Sequence, residues 1–346
     1  MIRFNNDYNH GAHPRILEAL AQTNTESYGG YGLDEWCRKA SDEIKKYLDC
    51  PQAAIHYLLG GTQVNYTAIA ASLRPYQSVL CADSGHINVH ETGAVENAGH
   101  KIETLLGVDG KITAAQIKEA ANSYRTSDIP EHITQPKMVY LSFPTEYGTL
   151  YSKAELETIH TVCREYQLYL FIDGARMGYG LGSEENDVTL RDLAALSDLF
   201  YIGGTKCGAM FGEALVITNL ELQPHFRSYI KQNGAMLAKG WLLGLQFYTL
   251  FQDGLYFDIA KKAVDYAMQI RNAFQTKGIP AYIESPTNQQ FVILTQEQID
   301  QLSPKYVFEF EGKYDDFHSI VRFCTAWSTT QSEIDALTAD IETLTI

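Results

Sequence analysis

The sequence predicts an α/β fold built on a mostly parallel sheet, and three observations support that class. From about residue 34 to residue 301, helix-like segments alternate with short apolar runs, which is typical of a parallel sheet covered by helices. With 346 residues, 45% of them hydrophobic, the chain can bury more than about 70% of its surface on folding. No linker, internal repeat or low-complexity tract interrupts the pattern, so we expect one large domain and one smaller domain.

Local sequence patterns predict the helices and strands, which we give in chain order. Asp34 to Leu48 has apolar residues at helical spacing, with Asp34 as its N-cap, and Thr62 to Leu73 is the next predicted helix. Short apolar runs rich in β-branched and aromatic residues predict strands over residues 54–59, 78–82, 138–143, 168–172, 199–202 and 214–217.

The C-terminal part predicts a compact α+β unit, with strands over residues 291–294 and 319–324 and a last helix over residues 331–343. We place the domain boundary in the long helical stretch after about residue 250. The expected organisation is an N-terminal arm (residues 1–20), a large domain (21–250) and a small domain (251–346).

Charge and composition exclude several functional classes. The formal net charge of −15 would repel phosphate backbones and anionic lipid, so nucleic acid and membranes are not expected partners. The six cysteines have neither CxxC nor CxH spacing, so we expect no metal site and no disulfide scaffold. The first residues lack the apolar segment of a signal peptide, and we expect a soluble cytoplasmic protein.

Three segments at predicted strand ends carry the candidate chemistry, because open α/β sheets bind their ligands there. Gly60-Gly61-Thr62 lies at a strand-to-helix turn, where backbone N–H groups can bind an anion; the alternative is a plain helix cap. Asp173 ends an apolar strand and needs a cation, which could be a pyridinium nitrogen or the nearby Arg176.

The third segment is Gly203-Gly204-Thr205-Lys206-Cys207-Gly208. Lys206 follows an apolar strand, and such surroundings lower the pKa of an amine and favour the neutral form that makes Schiff bases; a solvated loop lysine is the alternative. Together, the anion turn, the aspartate and the lysine form a complete set of residues for binding a cofactor.

With these residues, the chain resembles the fold-type I pyridoxal-phosphate enzymes and, within them, the threonine aldolase and β-eliminating lyase family. The resemblance runs over nearly the whole sequence. It is carried by Asn6-Asp7, Tyr31-Gly32, Gly60 to Asn65, Gly85-His86-Ile87, His90 to Gly93, Thr145 to Gly148, Asp173 to Arg176, Lys206 and Val321-Arg322.

The resemblance implies roles for several of these positions. Lys206 would bind pyridoxal 5'-phosphate as a Schiff base, Asp173 would hold the pyridine nitrogen protonated, and Gly61 and Thr62 would bind the phosphate. His86 would stack on the ring and would be a catalytic residue, as would Lys206. Asn6, Tyr31, Arg176 and Arg322 would bind the substrate, with Arg176 also near the cofactor. The fold would have a seven-stranded mixed sheet and a small C-terminal domain, in a homodimer or homotetramer with its active site at the subunit interface.

Two departures from the family pattern bear on the substrate and on the cofactor phosphate. Glu146 stands where a histidine is expected near the substrate hydroxyl, and a carboxylate can accept that proton only when ionised; it could also simply face solvent. The later phosphate-binding arginine is missing, and Lys239 is its possible substitute.

The resemblance therefore implies an aldolase that cleaves L-threonine or L-allo-threonine to glycine and an aldehyde. Two alternatives stay open: a pyridoxal-phosphate-dependent β-eliminating lyase acting on another small amino acid, and a non-catalytic relative that acts as a binding protein.

Overall fold

The computed structural model describes residues 1–345 and confirms a mixed seven-stranded sheet beside a smaller antiparallel sheet. The strands are β1 (Ile2–Arg3), β2 (Ala54–Leu58), β3 (Gln77–Ala82), β4 (Lys101–Leu105), β5 (Gln135–Ser142), β6 (Tyr169–Asp173), β7 (Leu199–Gly203), β8 (Glu213–Ile217), β9 (Ala281–Ile283), β10 (Gln289–Thr295), β11 (Tyr306–Val307), β12 (Glu309–Lys313) and β13 (His318–Cys324).

The helices cover both faces of the large sheet and one side of the small one. They are α1 (Pro14–Thr23), α2 (Glu35–Leu48), α3 (Gly61–Ser72), α4 (His86–Val89), α5 (Ala94–Asn97), α6 (Ala114–Arg125), α7 (Lys153–Tyr166), α8 (Met177–Leu181), α9 (Leu190–Leu196), α10 (Phe226–Gln232), α11 (Trp241–Phe251), α12 (Leu255–Lys277), α13 (Gln296–Leu302) and α14 (Gln331–Glu342).

The large sheet has the order β2-β8-β7-β6-β5-β3-β4, and only β8 runs antiparallel to its neighbours. The other six strands therefore end at the same edge of the sheet. Parallel neighbours need crossover connections, which the intervening helices supply. This edge gathers the residues that follow β2, β3, β5, β6 and β7, and it holds the candidate site.

Three clusters of buried apolar side chains form the core. Two of them lie on opposite faces of the large sheet, as Leu170 and Phe171 illustrate from neighbouring positions of β6. The third joins the small sheet to α12 and α14 and includes Phe4 from the arm. Since β1 also pairs with β11, the start of the chain is anchored to the C-terminal unit.

The helix predicted over residues 34–48 is confirmed as α2. Asp34 is its N-cap, since Asp34 Oδ1 accepts from the Cys37 N–H at 2.9 Å. The predicted strands appear within a few residues of their expected ends. Five strands were missed: β1, β9 and β11 have only two or three residues, and β4 and β12 have polar residues at exposed positions. The proposed domain boundary near residue 250 stays a prediction.

All six cysteines are buried and unpaired. Across the part of the chain that the structure describes, no helix has both the length and the apolar character needed to span a bilayer.

Candidate active site

A cavity of about 240 Å³ opens at the edge where the parallel strands end. It is lined by most of the residues that the sequence singled out, which come from five separate segments of the chain. Those residues are Gly61, Thr62, His86, Glu146, Asp173, Arg176 and Lys206.

The glycine turn forms one wall of the cavity. Gly60 is the N-cap of α3 and no side chain caps this helix, so the N–H groups of its first turn are available to an anion. A Cβ on Gly61 would lie 2.9 Å from the Tyr201 hydroxyl, so a larger residue here would require that buried tyrosine to shift. The turn is therefore suited to receive a phosphate.

Asp173 lies at the end of β6 and is 4% exposed. Its Oδ1 accepts from the Ala175 N–H at 2.9 Å, while Oδ2 accepts from Asn65 Nδ2 at 3.0 Å and from the Tyr140 hydroxyl. No arginine is paired with this carboxylate within residues 1–345, so the ion pair with Arg176 considered above is not formed. Asp173 is thus a buried carboxylate, held in place by donors, in the wall of the cavity.

Lys206 lies directly after β7, with its side chain in the same cavity. Burial lowers the pKa of its amine, and the positive charge of Arg176 lowers it further, against the opposing effects of Asp7, Asp173 and Glu213. A larger neutral fraction makes the amine a better nucleophile. Beside it, burial raises the pKa of the Cys207 thiol to about 12, so that thiol is not a nucleophile near neutral pH.

Glu146 lines the cavity and is partly buried. Its Oε1 accepts from the Ser142 hydroxyl at 2.6 Å and from the His86 backbone N–H at 2.8 Å. Burial raises the pKa of Glu146, although these two hydrogen bonds act in the opposite direction. The carboxyl group therefore keeps its proton to a higher pH than an ordinary glutamate does.

Arg176 is already engaged by a carboxylate of the arm. Its Nε and Nη2 donate to Asp7 at 2.7 and 3.1 Å, and Asn288 Nδ2 donates to the same carboxylate at 2.9 Å. Burial acts to raise the pKa of Asp7, but Arg176 prevails and holds it below its usual value. Nη1 of Arg176 has no protein partner within residues 1–345 and stays available.

Arg322 lies beside the arm and outside the lining of the cavity. Its Nη1 contacts Glu311 Oε1 at 3.1 Å and Gln289 Oε1 at 3.3 Å, and its Nη2 donates to the Asn5 carbonyl at 3.1 Å. The arm thus touches both arginines, through Asn5 and through Asp7.

Three further residues implied by the resemblance are not brought into the cavity of this chain. Asn6 uses its Oδ1 to accept from the Tyr8 N–H at 3.0 Å. Tyr31 and Lys239 are exposed on two adjoining segments, joined where the Tyr31 N–H donates to the Ala238 carbonyl at 3.1 Å. Lys239 consequently supplies no positive charge to the glycine turn of its own chain.

Sequence reasoning missed Glu213, which is 4% exposed and lines the cavity near Lys206. Its Oε2 accepts from the Gly204 N–H at 2.8 Å, and burial raises the pKa of this carboxyl to about 7. The signal was present in the sequence, because Glu213 is a lone carboxylate at the head of an apolar strand.

The sheet, and the lysine, aspartate and glycine turn at its edge, define the fold-type I class of pyridoxal-phosphate enzymes. An aspartate aminotransferase of Thermus thermophilus has this fold, with a TM-score of 0.71 over 99% of this chain and 91% of that chain, at 13% identity. The solved threonine aldolase of Leishmania major is far more similar, with a TM-score of 0.96, 42% identity and 99% coverage of both chains.

The chain belongs to the beta-eliminating lyase family, whose sequence profile matches residues 9–314, and it is therefore a lyase by family. A low specificity L-threonine aldolase from a Pseudomonas species is 28% identical over 98% of this chain and 96% of its own length.

Proposed function

We propose that this protein is a pyridoxal-phosphate-dependent aldolase that cleaves L-threonine or L-allo-threonine to glycine and acetaldehyde. The observation that carries the proposal is the shared cavity of Lys206, Asp173 and the uncapped turn at Gly61, which matches the amine, the carboxylate and the anion site that the cofactor needs. The threonine aldolases among the similar proteins support the choice of substrate.

Each of these residues has one task in holding the cofactor. Lys206 would bind it covalently through an amine of lowered pKa, Asp173 would keep the pyridine nitrogen protonated, Gly61 and Thr62 would hold the phosphate, and His86 would pack against the ring. When bound, pyridoxal phosphate supplies an electron-withdrawing ring next to the substrate's α-carbon.

Arginine is suited to the substrate carboxylate, because a guanidinium presents a planar fork of donors. Arg176 retains Nη1 for this contact, while its other donors are fixed by Asp7. Arg322 would have to exchange Glu311 for the substrate, since Nη1 already contacts that carboxylate. Asn6 and Tyr31 remain proposed substrate contacts that need a rearranged arm or a second subunit.

Glu146 is the proposed acceptor of the β-hydroxyl proton as the substrate's Cα–Cβ bond breaks. Its Oε1 is held by Ser142 and His86, which fixes the carboxyl group in the cavity wall. Because burial raises the pKa of Glu146, the accepting, ionised form gains population as pH rises.

We further propose a homodimer or homotetramer in the cytoplasm. Lys239 and Tyr31 lie beside Arg227 and Lys231, whose side chains contact the Tyr31 carbonyl and ring. None of the four lines the candidate site of this chain, so this basic surface would reach such a site only in a second copy. Six unpaired cysteines are compatible with a reducing compartment.

The test is a product assay on the purified protein supplied with pyridoxal phosphate and a set of β-hydroxy amino acids. Release of acetaldehyde and glycine from L-threonine or L-allo-threonine supports the proposal. Release of ammonia and a keto acid would instead identify a β-eliminating lyase, and no turnover of any substrate would favour a binding protein. Lys206→Ala is the matched inactive control.

A further inference from the structure

Glu91, to which neither the sequence nor the resemblance assigned a role, makes a hydrogen bond to the ring of His86. The His86 Nδ1 lies 2.8 Å from Glu91 Oε1. The side chain of Glu91 has no exposed surface, whereas that of His86 is 34% exposed and lines the cavity. The pair therefore joins a buried carboxylate to a ring that faces the candidate site.

The carboxylate of Glu91 accepts few hydrogen bonds for a buried group. Its Oε1 also accepts from Asn65 Nδ2 at 2.7 Å, but Oε2 has no partner within residues 1–345. A carboxylate oxygen only accepts hydrogen bonds, so the 2.8 Å contact with Oε1 requires a hydrogen on the nitrogen of His86 that faces Glu91. That nitrogen is Nδ1.

Asn65 connects this pair to Asp173. Its Nδ2 donates to Glu91 Oε1 at 2.7 Å and to Asp173 Oδ2 at 3.0 Å, so both of its N–H bonds point at carboxylates. One amide thus supports the carboxylate behind His86 and the carboxylate at the end of β6. The two groups cannot move independently while this contact holds.

Other titratable groups also lie near His86. The His90 ring centroid lies 5.5 Å from that of His86, and Glu146 accepts from the His86 backbone N–H. Arg176 and Lys206 lie across the cavity. None of them contacts the ring nitrogens of His86, so within residues 1–345 only Glu91 acts directly on the distribution of hydrogen between Nδ1 and Nε2.

We propose that Glu91 is a positioning residue that fixes His86 in the Nδ1–H tautomer, with Asn65 tying this pair to Asp173. The hydrogen bond made by one ring nitrogen sets the state of the other, so Nε2 is left as the atom of His86 that can take or give a proton inside the cavity. The role rests on the proposed function only in assuming that this cavity is the active site.

The experiment is ¹⁵N NMR of the histidine side chains, with and without pyridoxal phosphate and without substrate, at a pH where the imidazoles are neutral. The His86 signal is assigned by its loss in His86→Asn. We expect the Nδ1–H tautomer in the wild-type protein and its loss in Glu91→Ala. Glu91→Asp should keep it in part, and the exposed neighbour variant Glu96→Ala should keep it in full.

Glu91→Ala should also lower kcat on the productive substrate by about 100-fold with KM little changed, because a hydrogen on Nε2 would stop His86 from taking a proton beside Glu146, and a second positioned acid or base contributes about that factor. An Nε2–H tautomer in the wild-type protein would overturn the proposal, even if Glu91→Ala failed to fold. An unchanged tautomer in a folded Glu91→Ala would overturn it too. Both outcomes are independent of which amino acid the enzyme cleaves.

Discussion

Asp7 and Arg176 form a two-point ion pair, with Nε to Oδ2 at 2.7 Å and Nη2 to Oδ1 at 3.1 Å, between residues 169 positions apart in the sequence. Neither side chain is more than 14% exposed. The pair joins the N-terminal arm to an arginine in the wall of the candidate site and orients the guanidinium before any substrate arrives.

Asp7→Asn should therefore destabilise the protein and impair substrate binding. Removing one partner of a buried ion pair costs about 3–5 kcal/mol, because the other charge is left uncompensated. Since the pKa of Asp7 is lowered by Arg176, this stabilisation is present above the ordinary carboxyl pKa and is lost as pH falls through the lower pKa of folded Asp7. Chemical denaturation measures the loss of stability, and KM measures the weaker substrate binding.

The control is Asp253→Asn, which breaks the solvent-exposed pair between Asp253 and Arg15. Exposed pairs contribute little, so its unfolding midpoint should stay near that of the wild type. Equal losses in the two variants would contradict the role of the Asp7 pair.

Glu146→Gln should lower aldol cleavage strongly while leaving glycine binding unchanged, because only cleavage requires a proton acceptor for the hydroxyl group. In the wild type, kcat should rise with pH through the raised pKa of Glu146, and the variant should lose that rise. The pH profile of acetaldehyde release measures both effects. Unchanged cleavage would place the acceptor elsewhere, with His86 Nε2 as the next candidate.

The centre of the site could be predicted because local chemistry marks it. Gly61, Asp173 and Lys206 each follow an apolar strand, and the carboxyl ends of strands running in one direction meet at one edge. Pairs such as Asp7 with Arg176 have no local pattern, since folding alone brings the arm to the strand end. The roles of Tyr31 and Lys239 were inferred by similarity alone, and both lie on another surface of this chain.

Glu213 gives a stability test that needs no substrate. Burial raises the pKa of Glu213 from 4.5 to about 7, so protonated Glu213 stabilises the folded protein at low pH. This stabilisation is lost as pH rises from about 4.5 through 7. The shift corresponds to about 3 kcal/mol. Glu213→Gln should therefore gain stability relative to the wild type between pH 5 and pH 8, as measured by thermal unfolding.

The exposed Glu221, which follows the same strand, is the matched position for a control. Glu221→Gln should give a curve of stability against pH that runs parallel to that of the wild type. A parallel curve for Glu213→Gln as well would mean that Glu213 ionises normally in the folded protein.

Arg322→Ala should raise KM by about 30-fold or more while leaving cofactor binding intact, since losing one partner of a charge-assisted contact costs about 2–5 kcal/mol. Glu311→Gln should lower KM, because the substrate carboxylate would no longer compete with Glu311 for Nη1. Steady-state kinetics on the productive substrate measure both. Cofactor loss in Arg322→Ala would assign that arginine to the fold instead.

The most direct test of the account is to locate the cofactor on the chain. The protein loaded with pyridoxal phosphate is reduced with borohydride, digested and mapped by mass spectrometry. Since Lys206 is the cavity lysine whose amine pKa is lowered by burial, we predict the added mass on Lys206 and its absence in Lys206→Ala. Label on another lysine of the wild-type protein, or no label at all, would contradict the account.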